Sequence, residues 1–131
     1  MKNVFNIEIE IKKLNNLYHA SVCNTKLFNF LIFCGLSIQD RAGNKKIPYV
    51  ILESPKEIIC EFLGALYFGD GCLIDNCCIN YGTKSKELAK QIQIILLSLG
   101  IVSSLKEVSL HPKYNCYYYN VSVHSIFRKK F

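Results

Sequence analysis

Asp70 is the residue of this chain best placed to do chemistry. It closes the apolar stretch Phe62-Leu63-Gly64-Ala65-Leu66-Tyr67-Phe68-Gly69 and is followed by Gly71. Upstream, Ser54-Pro55-Lys56-Glu57 reads as a helix start, with Ser54 as N-cap, Pro55 at the first helical position and Glu57 closing a capping box. The pattern predicts one buried helix over residues 55–68 with a carboxylate at its C-terminal tip. The negative end of the helix macrodipole repels an acid there, so a cation or a turn should compensate Asp70. Ala65 and Gly69, four apart, leave a small-residue groove where another helix could approach closely. Asp-Gly is also common in turns, and a helix-ending turn without chemistry is the alternative reading.

Seven cysteines are the other reactive groups. Cys72, Cys77 and Cys78 cluster on one expected hairpin, but a zinc site would need His111 and Cys116 as further ligands. The alternative is that the thiols are small buried hydrophobes in a reducing compartment. The net charge of +6 favours a polyanionic partner, although many basic proteins bind none. No apolar run reaches the roughly 20 residues that span a bilayer. Residues 1–3 open a polar, strand-like segment rather than a signal peptide. The expectation is a soluble, intracellular protein without a membrane partner.

Residues 63–71 resemble the LAGLIDADG signature, in the dodecapeptide (DOD-type) form found in inteins and free-standing homing endonucleases. Leu63, Leu66, Asp70 and Gly71 match the consensus letters, while Phe68 departs from a consensus acid. Lys45-Lys46-Ile47-Pro48 is similar to the lysine block of intein endonucleases. Tyr81-Gly82-Thr83-Lys84-Ser85-Lys86-Glu87-Leu88-Ala89 and Leu96-Leu97-Ser98-Leu99-Gly100-Ile101 resemble the family's second helix and its end. The resemblance covers roughly the whole chain. It implies an α+β fold of αββαββα repeats with antiparallel sheets, each repeat led by a signature helix.

The family's activity is metal-dependent, site-specific cleavage of double-stranded DNA. The resemblance therefore implies that Asp70 is the catalytic and metal-ligating residue, with Mg²⁺ or another divalent cation as cofactor. Hard Mg²⁺ takes carboxylate and phosphate oxygens, so one carboxylate can suffice where DNA supplies others. Lys45 matches the lysine near the scissile phosphate, and Lys46 matches it after a one-residue slip. In the family the sheet enters the major groove. Lys46, Asn76, Asn80, Lys84, Lys106 and Asn120 are then candidate DNA contacts, on strand faces that one sequence leaves open. Ala65 and Gly69 would form the helix-pair interface of a homodimer, bringing two Asp70 residues together. The alternatives are a decayed remnant, or a non-catalytic nucleic-acid-binding module of maturase or repressor type. The chain neither begins with a splicing nucleophile nor ends in His-Asn, so splicing is not expected.

Several elements must position these residues. Phe5, Ile7, Ile9 and Ile11 alternate with polar residues as a half-buried strand, Asn15-Asn16 marks a turn, and residues 17–22 return. Asn24-Thr25 can cap a short helix carrying Leu27, Phe28, Phe30 and Leu31 and stopped by Gly35. Residues 72–83 form a hairpin, and Ser85 caps a helix carrying Leu88, Ile92, Ile95, Leu96 and Leu99. Residues 101–108 and 114–123 form a second hairpin before a last helix near Ser125. Tyr18, Ser21 and Val22 align with Tyr119, Ser122 and Val123, each before a helix start. The expected organisation is the strand–strand–helix tail of a first repeat (1–36), a linker with the lysine block (37–53), and a second repeat (54–131) with a truncated last helix. Tyr117-Tyr118-Tyr119 could stack on bases or fill the core.

Overall fold

The computed structural model describes residues 7, 9–36, 41–74, 78–111 and 116–127. It forms two compact units, residues 1–36 and 37–131, each built around its own antiparallel pairings. In the first unit, β1 (Glu10–Leu14) pairs with β2 (Leu17–Ser21) across a two-residue turn in which Asn15 takes the left-handed conformation, φ 54°. Helix α1 (Thr25–Phe33) follows. The Asn24 side chain accepts from the Leu27 amide at 2.9 Å, and Gly35, at φ 97°, ends the helix. The alternation read from Phe5 to Ile11 gives less burial than expected. Ile7 is buried, but Ile9 and Ile11 are exposed, as is all of β2. A two-stranded ribbon has too little surface of its own to cover both strands.

The second unit carries the core. A short helix α2 (Tyr49–Leu52) precedes α3 (Lys56–Asp70), which runs directly into β3 (Gly71–Ile74). β4 (Cys78–Thr83), α4 (Lys86–Ser98), β5 (Ser103–His111) and β6 (Cys116–His124) complete a four-stranded antiparallel sheet of order β3-β4-β6-β5, with a 3₁₀ turn at Ser125–Phe127. Both expected hairpins form. The residues expected to turn the first one, Asp75 and Asn76, lie outside the described residues.

Period-two alternation sorts the sheet into two faces. Ile79, Tyr81 and Thr83 on β4 lie opposite Val123, Val121 and Tyr119 on β6, and Leu105 on β5 lies opposite Val121. This face meets Leu88, Ala89, Ile92, Ile95 and Leu96 of α4, all buried, and Leu63 and Tyr67 of α3. The spacing read for the Ser85 helix is the spacing observed. Burial of such aliphatic side chains stabilises the unit by roughly 1.5–3 kcal/mol each.

The start of the signature helix differs from expectation. Pro55 is the N-cap, without a side-chain hydrogen bond, and the Ser54 hydroxyl donates to the Val50 carbonyl at 2.6 Å. The preceding α2, which the sequence did not announce, offers free C-terminal carbonyls, and Ser54 satisfies one of them. Nor is α3 buried all round. Only Leu63 and Tyr67 are buried, and Phe68 is 94% exposed. Helix α2 and strands β3 and β4 are its neighbours, and Ala65 and Gly69 of its small-residue stripe are exposed.

Ser85 joins several elements. Its hydroxyl accepts from the Leu88 amide at 3.1 Å and donates to the Lys45 carbonyl at 2.6 Å, while its own amide donates to Thr83 Oγ1 at 3.1 Å. It has no exposed surface. Ser85→Ala removes a helix cap and leaves a carbonyl without its donor. We expect a loss of about 2 kcal/mol, read as a lower urea midpoint with unchanged slope; an unchanged midpoint would contradict this role.

Candidate active site and nucleic-acid interface

Asp70 is the last residue of α3 and its side chain is exposed. Gly71 is at once the C-cap and the first residue of β3, and its amide donates to the Tyr67 carbonyl. A Cβ on Gly71 would collide with that carbonyl, which is why glycine follows the acid. The turn reading of Asp-Gly thus accounts for Gly71 but leaves Asp70 unexplained. The helix enters the strand with no intervening loop, so the carboxylate is held where helix and sheet meet.

Two tyrosines line that junction. The Tyr67 and Tyr81 rings pack with centroids 5.4 Å apart at 47°. Burial pushes the Tyr81 phenol up, and the charge of Asp70 adds to it. Burial also pushes Tyr67 up, with Tyr81 a second contribution. Both rings therefore stay neutral and hydrophobic at any ordinary pH. The effect on Tyr81 also places the Asp70 charge within electrostatic reach of the sheet. Opposite Tyr81 in the ladder is Gly71 itself.

The lysine block is fastened by its backbone while its side chains stay free to reach solvent. Lys45 gives its carbonyl to Ser85, and the amide of buried Ile47 donates to Gln91 Oε1 at 2.8 Å. These two bonds bring Lys45 and Lys46 to the N-terminal end of α4, where Lys84 and Lys86 flank Ser85 in sequence. All four lysines are exposed. Lys86 extends over the Tyr119 ring, 5.9 Å from its centroid. A helix N-terminus already carries partial positive charge, so cations gathered there make a place for anions.

The sheet face away from α4 is polar in its central rows. Lys106, Asn120 and Gly82 form one row across β5, β6 and β4, and Ser104, Ser122, Asn80 and Cys72 form the next across all four strands. Three expected DNA contacts, Asn80, Lys106 and Asn120, thus share one face. They differ in freedom. Asn80 is only 6% exposed, its Oδ1 accepts from the Ser122 hydroxyl at 2.9 Å, and its amide nitrogen leans on Cys72 Sγ at 4.0 Å. Asn120 is half-buried and Lys106 exposed. Asn76 lies outside the described residues.

Tyrosines 117–119 divide between the faces: Tyr119 packs against the core, and Tyr118 shares the face of Asn120. Sequence reasoning missed Ser122, His124 and Ser104 on the polar face; fixing β4 parity from Tyr81 would have found them. Cys23, Cys34, Cys60, Cys72 and Cys78 are free thiols. Among the described residues no three His, Cys, Asp or Glu side chains converge as a metal site, and no helix is long and apolar enough to cross a membrane. Cys77 and the side chains of His111 and Cys116 lie outside the description. An open hollow of about 400 Å³ runs beside α3, lined by Gly64, Tyr67, Phe68, Gly71, Cys72, Leu73 and Ile79. It offers no charged group, so its chemistry is that of a packing groove.

Comparison with known proteins gives these features a lineage. Residues 57–131 match the LAGLIDADG-like domain family. An uncharacterised protein of Methanocaldococcus jannaschii is 32% identical over 118 residues, which is 82% of this chain and 13% of that protein. The DNA polymerase of Thermococcus litoralis is 45% identical over 62 residues, 47% of this chain and 4% of the polymerase. The chain thus spans a small part of these curated relatives. Among solved structures, the homing endonuclease I-DmoI superposes with a TM-score of 0.69 at 19% identity, covering 98% of this chain and 61% of that one. A complex of I-DmoI with DNA and Mn gives 0.71 at 18%, over 99% and 63%. The α+β fold with antiparallel sheets is that of LAGLIDADG homing endonucleases, and this chain belongs to the LAGLIDADG-like family.

Proposed function

We propose that this chain binds double-stranded DNA and cuts it at a specific site with Mg²⁺ or another divalent cation, acting as a homodimer through α3. The observation that carries the reading is Asp70: an exposed carboxylate at the end of the signature helix, beside a sheet whose face away from α4 is polar. Residues 1–36 are, on this reading, the tail of a first repeat, 37–53 a linker, and 54–131 a second repeat. The dodecapeptide, intein-derived subtype belongs to the same proposal and rests on residues 45–48 and 63–71. That I-DmoI crystallises with DNA and Mn supports the choice of substrate and ion.

Asp70 fits a hard cation. It offers oxygen donors at a helix end where the macrodipole is negative and where its own charge is already felt by Tyr81. Bound there, a divalent ion supplies an activated water and neutralises charge on the phosphate and leaving oxygen. Lys45, on a loop fixed through Ser85 and Gln91, faces the scissile phosphate and stabilises its added charge. Lys46 and Lys84 hold neighbouring phosphates. Lys106 and Asn120 meet base edges, as does Asn76, while Asn80 takes part through Ser122 and Cys72.

A second carboxylate comes from a second copy. Ile58, Ala65 and Gly69 fall on one stripe of α3, about half a turn from buried Leu63 and Tyr67, and all three are exposed. Apart from its chain neighbours and its own helix backbone, no described atom lies within 4 Å of where a Gly69 Cβ would sit. A two-fold axis along that stripe covers apolar surface that monomers usually hide and brings two Asp70 tips together.

Three outcomes follow from this reading. Asp70→Asn should lower Mg²⁺-dependent cleavage of a duplex library at least about 100-fold while leaving duplex affinity within a few-fold; cleavage at the wild-type rate would refute the assignment. Duplex affinity should fall steeply with salt, with a log–log slope of several units, and a slope near zero would exclude a phosphate-tracking surface. In sedimentation, wild type should be a dimer at tens of micromolar, roughly the range of weak homodimers. Leucine at both Ala65 and Gly69 should yield monomer or aggregate; a folded wild-type monomer would overturn the dimer.

A further inference from the structure

Gly82 sits in the middle of β4, where glycine weakens a strand because it has no side chain to pack. Its backbone does not ask for glycine: the glycines in the left-handed region among the described residues are Gly35 and Gly100. What the position does require is space. A Cβ on Gly82 would lie 3.2 Å from Asn120 Oδ1, on the strand alongside, and would meet nothing else within 4 Å. Asn120 is the direct ladder partner of Gly82, and Lys106 is the partner of Asn120 on the far side. The amide of Asn120 therefore lies across the gap that Gly82 leaves.

We propose that Gly82 is a specificity-determining position, which lets the Asn120 side chain lie flat on the polar sheet face and present its amide to one adenine of a DNA duplex. The proposal rests on the DNA-binding reading above and adds to it the base read and the residue that sets the geometry. Asn120 presents one donor and one acceptor on a single planar edge, the complement of adenine N7 and N6 in the major groove. A two-stranded antiparallel ribbon such as β4–β6 fits that groove. Among the described residues the other asparagine of the face is Asn80, which cannot serve, since its Oδ1 is occupied by Ser122 and its side chain is 6% exposed. Lys106, next in the row, offers three donors and no acceptor, which suits guanine or a phosphate rather than adenine. Gly82 acts only through Asn120 and is a positioning residue.

The test selects duplexes from a randomised double-stranded library with wild type, Asn120→Ala and Gly82→Val, and measures each protein's salt-dependent affinity for one unrelated duplex. Wild type should select adenine at one position by about 5- to 100-fold over other bases, the range one bidentate amide–adenine pair supplies. Both variants should lose that preference at the same position and keep every other preference. The salt slope on the unrelated duplex should match that of wild type, because it counts phosphate contacts that neither residue makes, and a general loss of structure would not preserve it. If Gly82→Val keeps the adenine preference that Asn120→Ala loses, the role of Gly82 is wrong. If Asn120→Ala keeps it, or the base lost is not adenine, the assignment of Asn120 fails while DNA binding stands. Loss of all preferences in both variants also overturns the proposal, because readout then does not localise. A wild type that binds no duplex removes the DNA-binding reading itself.

Discussion

Three hydrogen bonds meet on Ser85, a residue with no exposed surface, and the placement of the lysine loop, the start of α4 and the end of β4 depends on them. Its hydroxyl starts α4, whose buried face is the floor on which the sheet rests. Its bond to the Lys45 carbonyl fixes a loop that has no regular structure of its own. Its amide closes the turn out of β4 through Thr83. A cap worth about 1 kcal/mol alone thus also fixes where a basic loop lies relative to a helix N-terminus and a strand end. Substituting Thr or Asp would keep the cap. Asp could not donate to Lys45, however, so the serine carries a donor-and-acceptor role that helix capping by itself does not require.

The second constraint is the abrupt passage from α3 to β3. Most helix–strand connections use several residues, yet here Asp70 is helical and Gly71 is already paired with Tyr81. The close approach of the Tyr67 carbonyl leaves room for glycine only, and Tyr67 and Tyr81 fill the space beneath. The geometry of the acid is consequently set by packing rather than by its own contacts. A carboxylate so placed is repelled by the helix end, and it raises the phenol it faces. Structures tolerate such local repulsion mainly where function uses it.

Much of this was legible in the sequence because it rests on period and punctuation. The α4 helix followed from apolar residues at helical spacing after Ser85, and both hairpins followed from alternation around turn residues. The signature stretch announced a helix ending in an acid and a glycine. Its N-terminus was misread because Ser54-Pro55 satisfies a local capping pattern, whereas the Ser54 hydroxyl is taken by the end of α2, four residues of weak helical signal. The exposure of α3 was hidden for a different reason: an apolar helix looks the same whether its second face meets this chain or another. Strand parity was undecidable until Tyr81 and Val121 were seen buried, after which one face of the sheet is apolar and the other polar throughout its central rows.

The polar face shows why residue type alone is a poor guide to contact. Asn80 and Asn120 have the same side chain, the same parity and neighbouring rows, yet their surroundings oppose them. Asn80 lies buried between Cys72 and Ser122, accepting from the serine hydroxyl and donating to the cysteine sulfur, so both ends of its amide are engaged inside the protein. Asn120 lies between Lys106, whose ammonium stands on a long stem, and Gly82, which has no side chain at all. An amide can be satisfied by a partner outside the protein only where its neighbours leave its edge open, and a glycine in mid-strand is the strongest form of that permission. The cost is borne by the strand, whose residues on the opposite face, Tyr81 and Thr83, are buried and hold β4 in place. Stability on one face of the sheet thereby permits openness on the other.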